Sequence, residues 1–155
     1  MKLPWVTRLA PIILMKIEQL YKKLIENNIS SDKYYLHGLF GSSDDNERLG
    51  LKIFKDSNRI KYQIYFKERG QVTSSCDYDS EDEACEVMFR KLKDEQTFWE
   101  IRKIEGLDGM TVNERLYASG LLDEFDRAKH KDKNRAKQIL RWLRVDQQSI
   151  EKIVT

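Results

Sequence analysis

The segment Ile60–Leu92 constrains the fold most, because its apolar pattern changes from that of a strand to that of a helix. Apolar and polar residues alternate along Ile60–Phe66, the period-two pattern of a half-buried strand. Gly70 supplies the positive φ that a tight turn often needs, and a weaker alternation follows along Val72–Tyr78. The sequence therefore predicts an antiparallel hairpin.

A helix is predicted directly after this hairpin. Ser80 and Glu83 have the spacing of a capping box, in which the serine hydroxyl and the glutamate carboxylate satisfy each other's backbone amides. Apolar residues then recur at the spacing of one helix face. They are Ala84, Cys85, Met88, Phe89 and Leu92. Such a face predicts a helix that folds back onto the sheet.

The preceding segments complete an α+β pattern. Met15–Asn27 repeats apolar residues at helical spacing, and Tyr34–Phe40 and Arg48–Lys55 have the composition of strands. A third strand begins at Arg59 after a short turn, and short turns favour antiparallel neighbours. The prediction is a four-stranded antiparallel meander sheet flanked by two helices (α-β-β-β-β-α), followed by a small C-terminal helical bundle.

The C-terminal part is predicted to be a separate helical segment. The pattern leaves open whether the second helix continues past Asp94, while Gly106 and Gly109 mark a boundary. Thr111–Val154 then reads as three helices. Thr111 and Glu114 have capping-box spacing before the first helix, whose apolar stripe runs from Leu116 to Phe125, and Asp146 caps the last. The expected organisation is an α+β domain over residues 15–104, a helical subdomain over 110–155 that packs on it, and an extension over 1–14.

Composition favours a cytoplasmic protein. Charged residues make up 35% of the chain, yet the net charge of +2 is too small to indicate nucleic acid binding by itself. Cys76 and Cys85 lack metal-ligand spacing and are predicted to be buried, reduced thiols. Residues 1–14 lack the long apolar run of a signal peptide, and no run reaches the ~18 residues of a membrane helix.

Residues for catalysis are sparse. His37 and His130 have no nucleophile at a recognisable spacing, and no phosphate-binding loop or zinc motif occurs. The carboxylates Asp77 and Asp79 could serve a metal-dependent nuclease, but acids at the start of a helix are also explained by its dipole. We therefore predict a protein that is not an enzyme and has no cofactor and no metal site.

Two charged surfaces remain as candidates for binding. One consists of the acidic segments 41–47 and 76–83, and strand order decides whether they meet at one end of the sheet. The other is the basic stretch Arg127–Arg144, where an interleaved Trp142 is a weak indication of nucleic acid binding. Its candidate contacts are Arg127, Lys131, Lys133, Arg135, Lys137 and Arg141.

The run YQIYFKERGQVTSSCDYDSEDEACEVMFRKL resembles a pattern in immunity proteins of bacterial contact-dependent growth inhibition and polymorphic toxin systems. The matching residues are Tyr65, Phe66, Glu68, Arg69, Gly70, Asp79, Ser80, Glu81, Glu83, Ala84 and Cys85. The resemblance covers Met15–Leu92. The tail from Met110 is similar instead to small stand-alone bacterial helical proteins of unknown role, which is a departure from a plain immunity protein.

The resemblance implies a cytoplasmic immunity protein that binds and neutralises a cognate toxin, with a nuclease as the expected class. It would occlude the active site or substrate groove of the toxin, with acidic side chains in place of nucleic acid phosphates. The predicted toxin-binding residues are Asp44, Asp45, Glu47, Asp77 and Asp79. The expected partner is thus a protein, with no membrane, and the oligomeric state is open. The alternative is a nucleic-acid-binding regulatory protein that uses the basic C-terminal helices.

Overall fold

The computed structural model describes residues 14–155, and the predicted extension 1–14 lies outside this range except for Leu14. The described chain is mixed α+β, with five strands and six α-helices. The strands are β1 (Tyr34–Leu36), β2 (Phe40–Gly41), β3 (Leu49–Asp56), β4 (Arg59–Glu68) and β5 (Gln71–Tyr78). The helices are α1 (Ile17–Glu26), α2 (Glu81–Arg102), α3 (Val112–Ser119), α4 (Leu122–Lys131), α5 (Lys133–Trp142) and α6 (Gln147–Ile153).

The described residues divide into two compact units, residues 14–93 and residues 94–155. Helix α2 is continuous through Asp94 and ends at Arg102, which answers the question left open by the sequence pattern. No helix within residues 14–155 combines the length and the apolar composition needed to cross a membrane. The predicted domain limits and the packing of the helical subdomain on the sandwich stay predictions.

The predicted four-stranded antiparallel meander is wrong in strand number and in one pairing. The sheet order is β2-β1-β3-β4-β5, and β1 pairs parallel with β3. The predicted first strand, Tyr34–Phe40, is broken by His37 and Gly38, whose φ values of 51° and 72° lie in the left-handed region. The chain reverses there, so β2 returns antiparallel along β1 and the loop that follows leads into a parallel β3.

The predicted hairpin is confirmed. Strands β4 and β5 pair antiparallel from Tyr62↔Tyr78 to Glu68↔Gln71. Its two-residue turn, Arg69 and Gly70, has φ values of 50° and 78°, the combination that matches the twist of the flanking strands. The register shifts between Phe66 and Lys67, so Thr73 forms a bulge in β5.

Both helices of the first unit pack on one face of the sheet, here called the inner face. Leu20 and Leu24 of α1 and Met88 of α2 are fully buried there against Leu51 and Ile64. The opposite side, called the outer face, carries the alternate strand residues. They are Tyr35, Gly50, Lys52, Phe54, Lys61, Gln63, Tyr65, Lys67, Ser75 and Asp77. None of them belongs to the core formed with α1 and α2.

The helical segment contains four helices after residue 110, so the prediction of three is wrong. Gly120 ends α3 in the left-handed conformation, at φ 74°, and divides the stripe that the sequence assigned to one helix. The capping box of Thr111 and Glu114 and the cap of α6 by Asp146 are confirmed. Asp132 caps α5 by accepting from the Arg135 amide, an N-cap that the sequence reading did not identify.

The two cysteines differ, which corrects half of the prediction. Cys85 is fully buried in the core of the first unit, as expected, but Cys76 is exposed. The reason is that β5 is an edge strand, and every residue of Gln71–Asp77 is exposed.

We therefore expect a thiol reagent to modify one cysteine per native chain. Burial raises the pKa of the Cys85 thiol to about 12, so the reactive thiolate is scarce there, whereas Cys76 faces solvent. Titration with an aromatic disulfide should give one equivalent in buffer and two in denaturant. A Cys76→Ser variant should give none in buffer, and rapid reaction of Cys85 in the native chain would contradict this account.

Candidate protein-binding surface

Residues 42–48, here called the acidic loop, are fixed against the β4–β5 turn. The Asn46 side-chain oxygen accepts a hydrogen bond from the Gly70 amide, and a Glu47 carboxylate oxygen accepts one from the Arg69 amide, both at 2.7 Å. The Glu47 amide donates to the Lys67 carbonyl at 2.8 Å. The two turn amides thus find their partners in the loop, which holds loop and turn as one piece.

Asp45 connects this loop to the outer face. Its carboxylate accepts from the Tyr65 hydroxyl at 2.7 Å and from the Lys67 ammonium at 2.8 and 2.9 Å. The Asp45 and Lys67 side chains are only 25% and 27% exposed. Hydrogen bonds from Lys67 and Tyr65 hold the pKa of Asp45 below its ordinary value, against the opposing effect of burial. Burial, followed by the bond to Asp45, raises the pKa of the Tyr65 hydroxyl.

The ring of Tyr65 lies across the backbone of β3 at Gly50. A Cβ atom at Gly50 would come within 2.6 Å of a ring carbon of Tyr65, so only glycine leaves room for this ring. The Lys52 ammonium lies 5.2 Å from the ring centre, within the range of a cation–π interaction. Tyr65 is 3% exposed although it is not part of the helix-facing core. The outer face therefore has a close-packed centre of its own.

Asp44 completes the acidic loop. Its carboxylate accepts from the Asn46 amide at 3.0 Å and lies 3.3 Å from the Arg48 guanidinium. The Arg48 side chain also donates to the backbone carbonyls of Asp32 and Asp44. All three predicted acids of this loop thus take part in holding it, although the Asp44 side chain stays 69% exposed.

The other two predicted contact residues lie at the opposite end of the hairpin. Asp77 accepts from the Gln63 amide group at 2.8 Å, and Asp79 forms an ion pair with Lys61. Hydrogen bonding and charge from Lys61 lower the pKa of Asp79, whose side chain is 76% exposed. The five predicted residues therefore form two separate groups. Asp44, Asp45 and Glu47 lie at the β4–β5 turn, and Asp77 and Asp79 lie near the start of β4.

The basic residues of the alternative hypothesis are partly engaged within the second unit. Arg135 donates to both carboxylate oxygens of Asp94, at 2.8 and 2.9 Å, and to Glu124 at 2.8 Å. Its guanidinium lies 4.8 Å from the Trp142 ring centre, and Lys137 lies 3.4 Å from Glu151. The remaining four are exposed. They are Arg127, Lys131, Lys133 and Arg141.

The two histidines lie in different units of the chain, one beside a strand and the other in a helix. The Ile53 amide donates to Nδ1 of His37 at 3.1 Å, which continues the β1–β3 pairing past the end of β1. His130 lies exposed in the last turn of α4. Within residues 14–155, no group of three or more histidine, cysteine, aspartate or glutamate residues could hold a metal ion.

Arg115 organises the helical segment, although no sequence pattern marks it. Its guanidinium donates to the Met110 and Asp108 carbonyls at 3.1 Å each, and to the Leu143 and Arg144 carbonyls at 2.9 and 3.0 Å. It thereby joins the start of α3 to the end of α5. Sequence spacing contains no signal for a side chain that bonds only to backbone carbonyls.

Comparison with protein-family models, with curated proteins and with solved structures found no match to this chain.

Replacing Asp45 by asparagine should lower the free energy of unfolding at neutral pH by about 1–2 kcal/mol, because Lys67 loses its charged partner in a half-buried place. Since the pKa of Asp45 is lowered in the folded state, its contribution is present above the ordinary pKa of 3.8 and is lost as the pH falls through the lowered value. Urea titrations of the wild type and the variant should therefore converge below about pH 4.

Asp44→Asn is the matched control for this comparison, because Asp44 is more exposed and an asparagine oxygen can still accept from the Asn46 amide. We expect it to change stability by less than about 0.5 kcal/mol. A difference between wild type and Asp45→Asn that is independent of pH would contradict the role assigned to the ionised carboxylate.

Proposed function

We propose that this chain is a cytoplasmic immunity protein, which binds a cognate toxin domain of the nuclease class and blocks its active site or substrate groove. The resemblance of Met15–Leu92 supports the class of protein. The observation that carries the proposal is the outer face, where charged and polar side chains are already held in fixed pairs. Because these pairs exist before binding, little conformational freedom is lost when a partner docks.

We infer from the arrangement of charge that Asp77 and Asp79 are the acids that contact the toxin. Asp45 accepts from Lys67 and Tyr65, and its side chain is only 25% exposed, so it positions the acidic loop. Glu47 also holds this loop, because it accepts from the Arg69 amide. Asp77 and Asp79 are exposed and each has one protein partner. Their remaining acceptor sites are available to the lysine and arginine side chains with which a nuclease holds phosphates.

Inhibition on this account is steric and electrostatic, and no covalent bond forms or breaks. The rigid sheet covers the substrate groove, and carboxylates occupy the places of substrate phosphates. Complementary charge mainly raises the rate of association and suppresses wrong partners, while apolar contacts around it exclude water. The half-buried side chains of Tyr35 and Phe54 supply apolar area on the same face.

Growth of cells that express the product of the neighbouring upstream gene, which we expect to be the toxin, tests the proposal. Wild-type chain should restore growth and should be recovered bound to the toxin. A double variant, Asp77→Lys with Asp79→Lys, should fail to restore growth because it opposes the positive groove. Glu95→Lys with Glu100→Lys makes the same charge change at exposed positions of α2 and should protect as well as wild type. Equal killing with and without the wild-type chain would refute the proposal.

A further inference from the structure

Strand β5 has an unusual free edge. It is the last strand in the sheet order, so one side of its backbone has no neighbouring strand in the described chain, and residues Gln71–Asp77 are exposed. The other edge is formed by β2, which has only two residues. Proteins commonly protect long edges with lysine, proline or bulges, because unpaired amides and carbonyls attract other strands. Here the Thr73 bulge interrupts the first part, and the segment Ser74–Tyr78 carries a single charge, Asp77.

The pattern of this segment restricts how it can pair with itself. Two β5 strands can pair antiparallel with the inner faces of both sheets on the same side. The two-fold axis between them then passes through a residue, because an axis between two residues would place an inner side chain opposite an outer one. An axis through Asp77 would place two carboxylates opposite each other. An axis through Ser74 or Ser75 would bring the Thr73 bulge into the paired part of the strands. An axis through Cys76 avoids both problems.

In this register the facing residues are complementary. Ser75 lies opposite Asp77 of the second copy, so that a hydroxyl can donate to the carboxylate, and the two-fold axis repeats this contact. Ser74 lies opposite Tyr78, and Cys76 lies opposite its own copy. The short side chains Ser74, Ser75 and Cys76 let the two backbones approach without a clash.

We propose that the β5 edge binds the β5 edge of a second copy of this chain, antiparallel and centred on Cys76. The two sheets then continue into each other, and the two outer faces form one surface. Only about five residues of each strand take part, roughly 17 Å of ladder, so the contact is below the size of a stable dimer interface. The dimer is therefore weak and depends on concentration. This inference does not rest on toxin binding, although Asp77 takes part in both contacts.

Sedimentation of the full chain over a range of concentrations tests the association. The weight-average mass of the wild type should rise toward that of a dimer. Ser75→Asp should keep the chain monomeric, because each new carboxylate faces Asp77 of the other copy. Ser43→Asp adds the same charge at an exposed position of the acidic loop and should leave the association unchanged. Melting curves of both variants confirm that they are folded.

Oxidation tests the register. Directly opposite residues of an antiparallel pair have Cα atoms about 4.5–5.5 Å apart, within the range for a disulfide. Mild oxidant should therefore join two wild-type chains through Cys76, faster than it joins Ser75→Asp chains. A wild type that stays monomeric at all concentrations overturns the proposal. So does a dimer that Ser75→Asp leaves intact, or one that Cys76 cannot cross-link.

Discussion

Replacing Arg135 by methionine is expected to lower the free energy of unfolding by about 3 kcal/mol, because it removes the cation from a half-buried cluster of charges. The guanidinium bonds to both Asp94 and Glu124 and lies over Trp142, with only 22% of its side chain exposed. Methionine keeps much of the contact with the ring but leaves two half-buried carboxylates close together without a cation. The loss should appear in urea titration followed by tryptophan fluorescence.

Arg141→Met is the control for this prediction, because Arg141 lies exposed on the same helix. It should change stability by less than about 0.5 kcal/mol. Equal stability of the Arg135 and Arg141 variants would mean that the Asp94–Arg135–Glu124 cluster does not stabilise the fold.

Replacing Gly50 by alanine is expected to destabilise the first unit by about 1–3 kcal/mol. The added Cβ would meet the Tyr65 ring at 2.6 Å, so the ring must move, and its hydroxyl then loses the bond to Asp45. Gly109→Ala should have little effect, since a Cβ there meets no atom within 4 Å. The measurement is thermal unfolding followed by circular dichroism.

A double-mutant cycle separates this explanation from a general intolerance of alanine in β3. When Tyr65 is also replaced by alanine, the steric conflict is absent, and Gly50→Ala should change the free energy of unfolding only slightly. The coupling energy between the two positions is then about 1–3 kcal/mol. If the effects of the two substitutions are additive, the position of the Tyr65 ring does not depend on the glycine at position 50.

The sequence predicted the elements whose signals are local. Alternation along Ile60–Phe66 and the Ser80–Glu83 spacing lie within single elements, and the structure contains both the strand and the helix. The error at Tyr34–Phe40 arose because the aromatic run outweighed the turn signal of Gly38, which adopts a positive φ together with His37. The helix end at Gly120 was not predicted, because the apolar stripe continues on both sides of it.

The candidate surface was less predictable, because its contacts join distant parts of the chain. Asp45 is recognisable as an acid in a polar loop, but its partners Tyr65 and Lys67 follow only from the folding of the loop onto the hairpin. The same holds for Gly50, whose role depends on a ring across the sheet. Asp77 and Asp79 are separated from the acidic loop because β3, β4 and β5 run antiparallel, which puts the start of β3 and the end of β5 at opposite ends of the sheet.

Calorimetric titration of the proposed toxin domain with the purified chain measures whether the outer face around Asp77 and Asp79 is the toxin-binding surface. We expect tight binding by the wild type and at least about a hundredfold loss of affinity for Asp77→Lys with Asp79→Lys. Glu95→Lys with Glu100→Lys should bind within about threefold of the wild type. Unchanged affinity of the Asp77 and Asp79 variant, with both variants folded, would contradict the account.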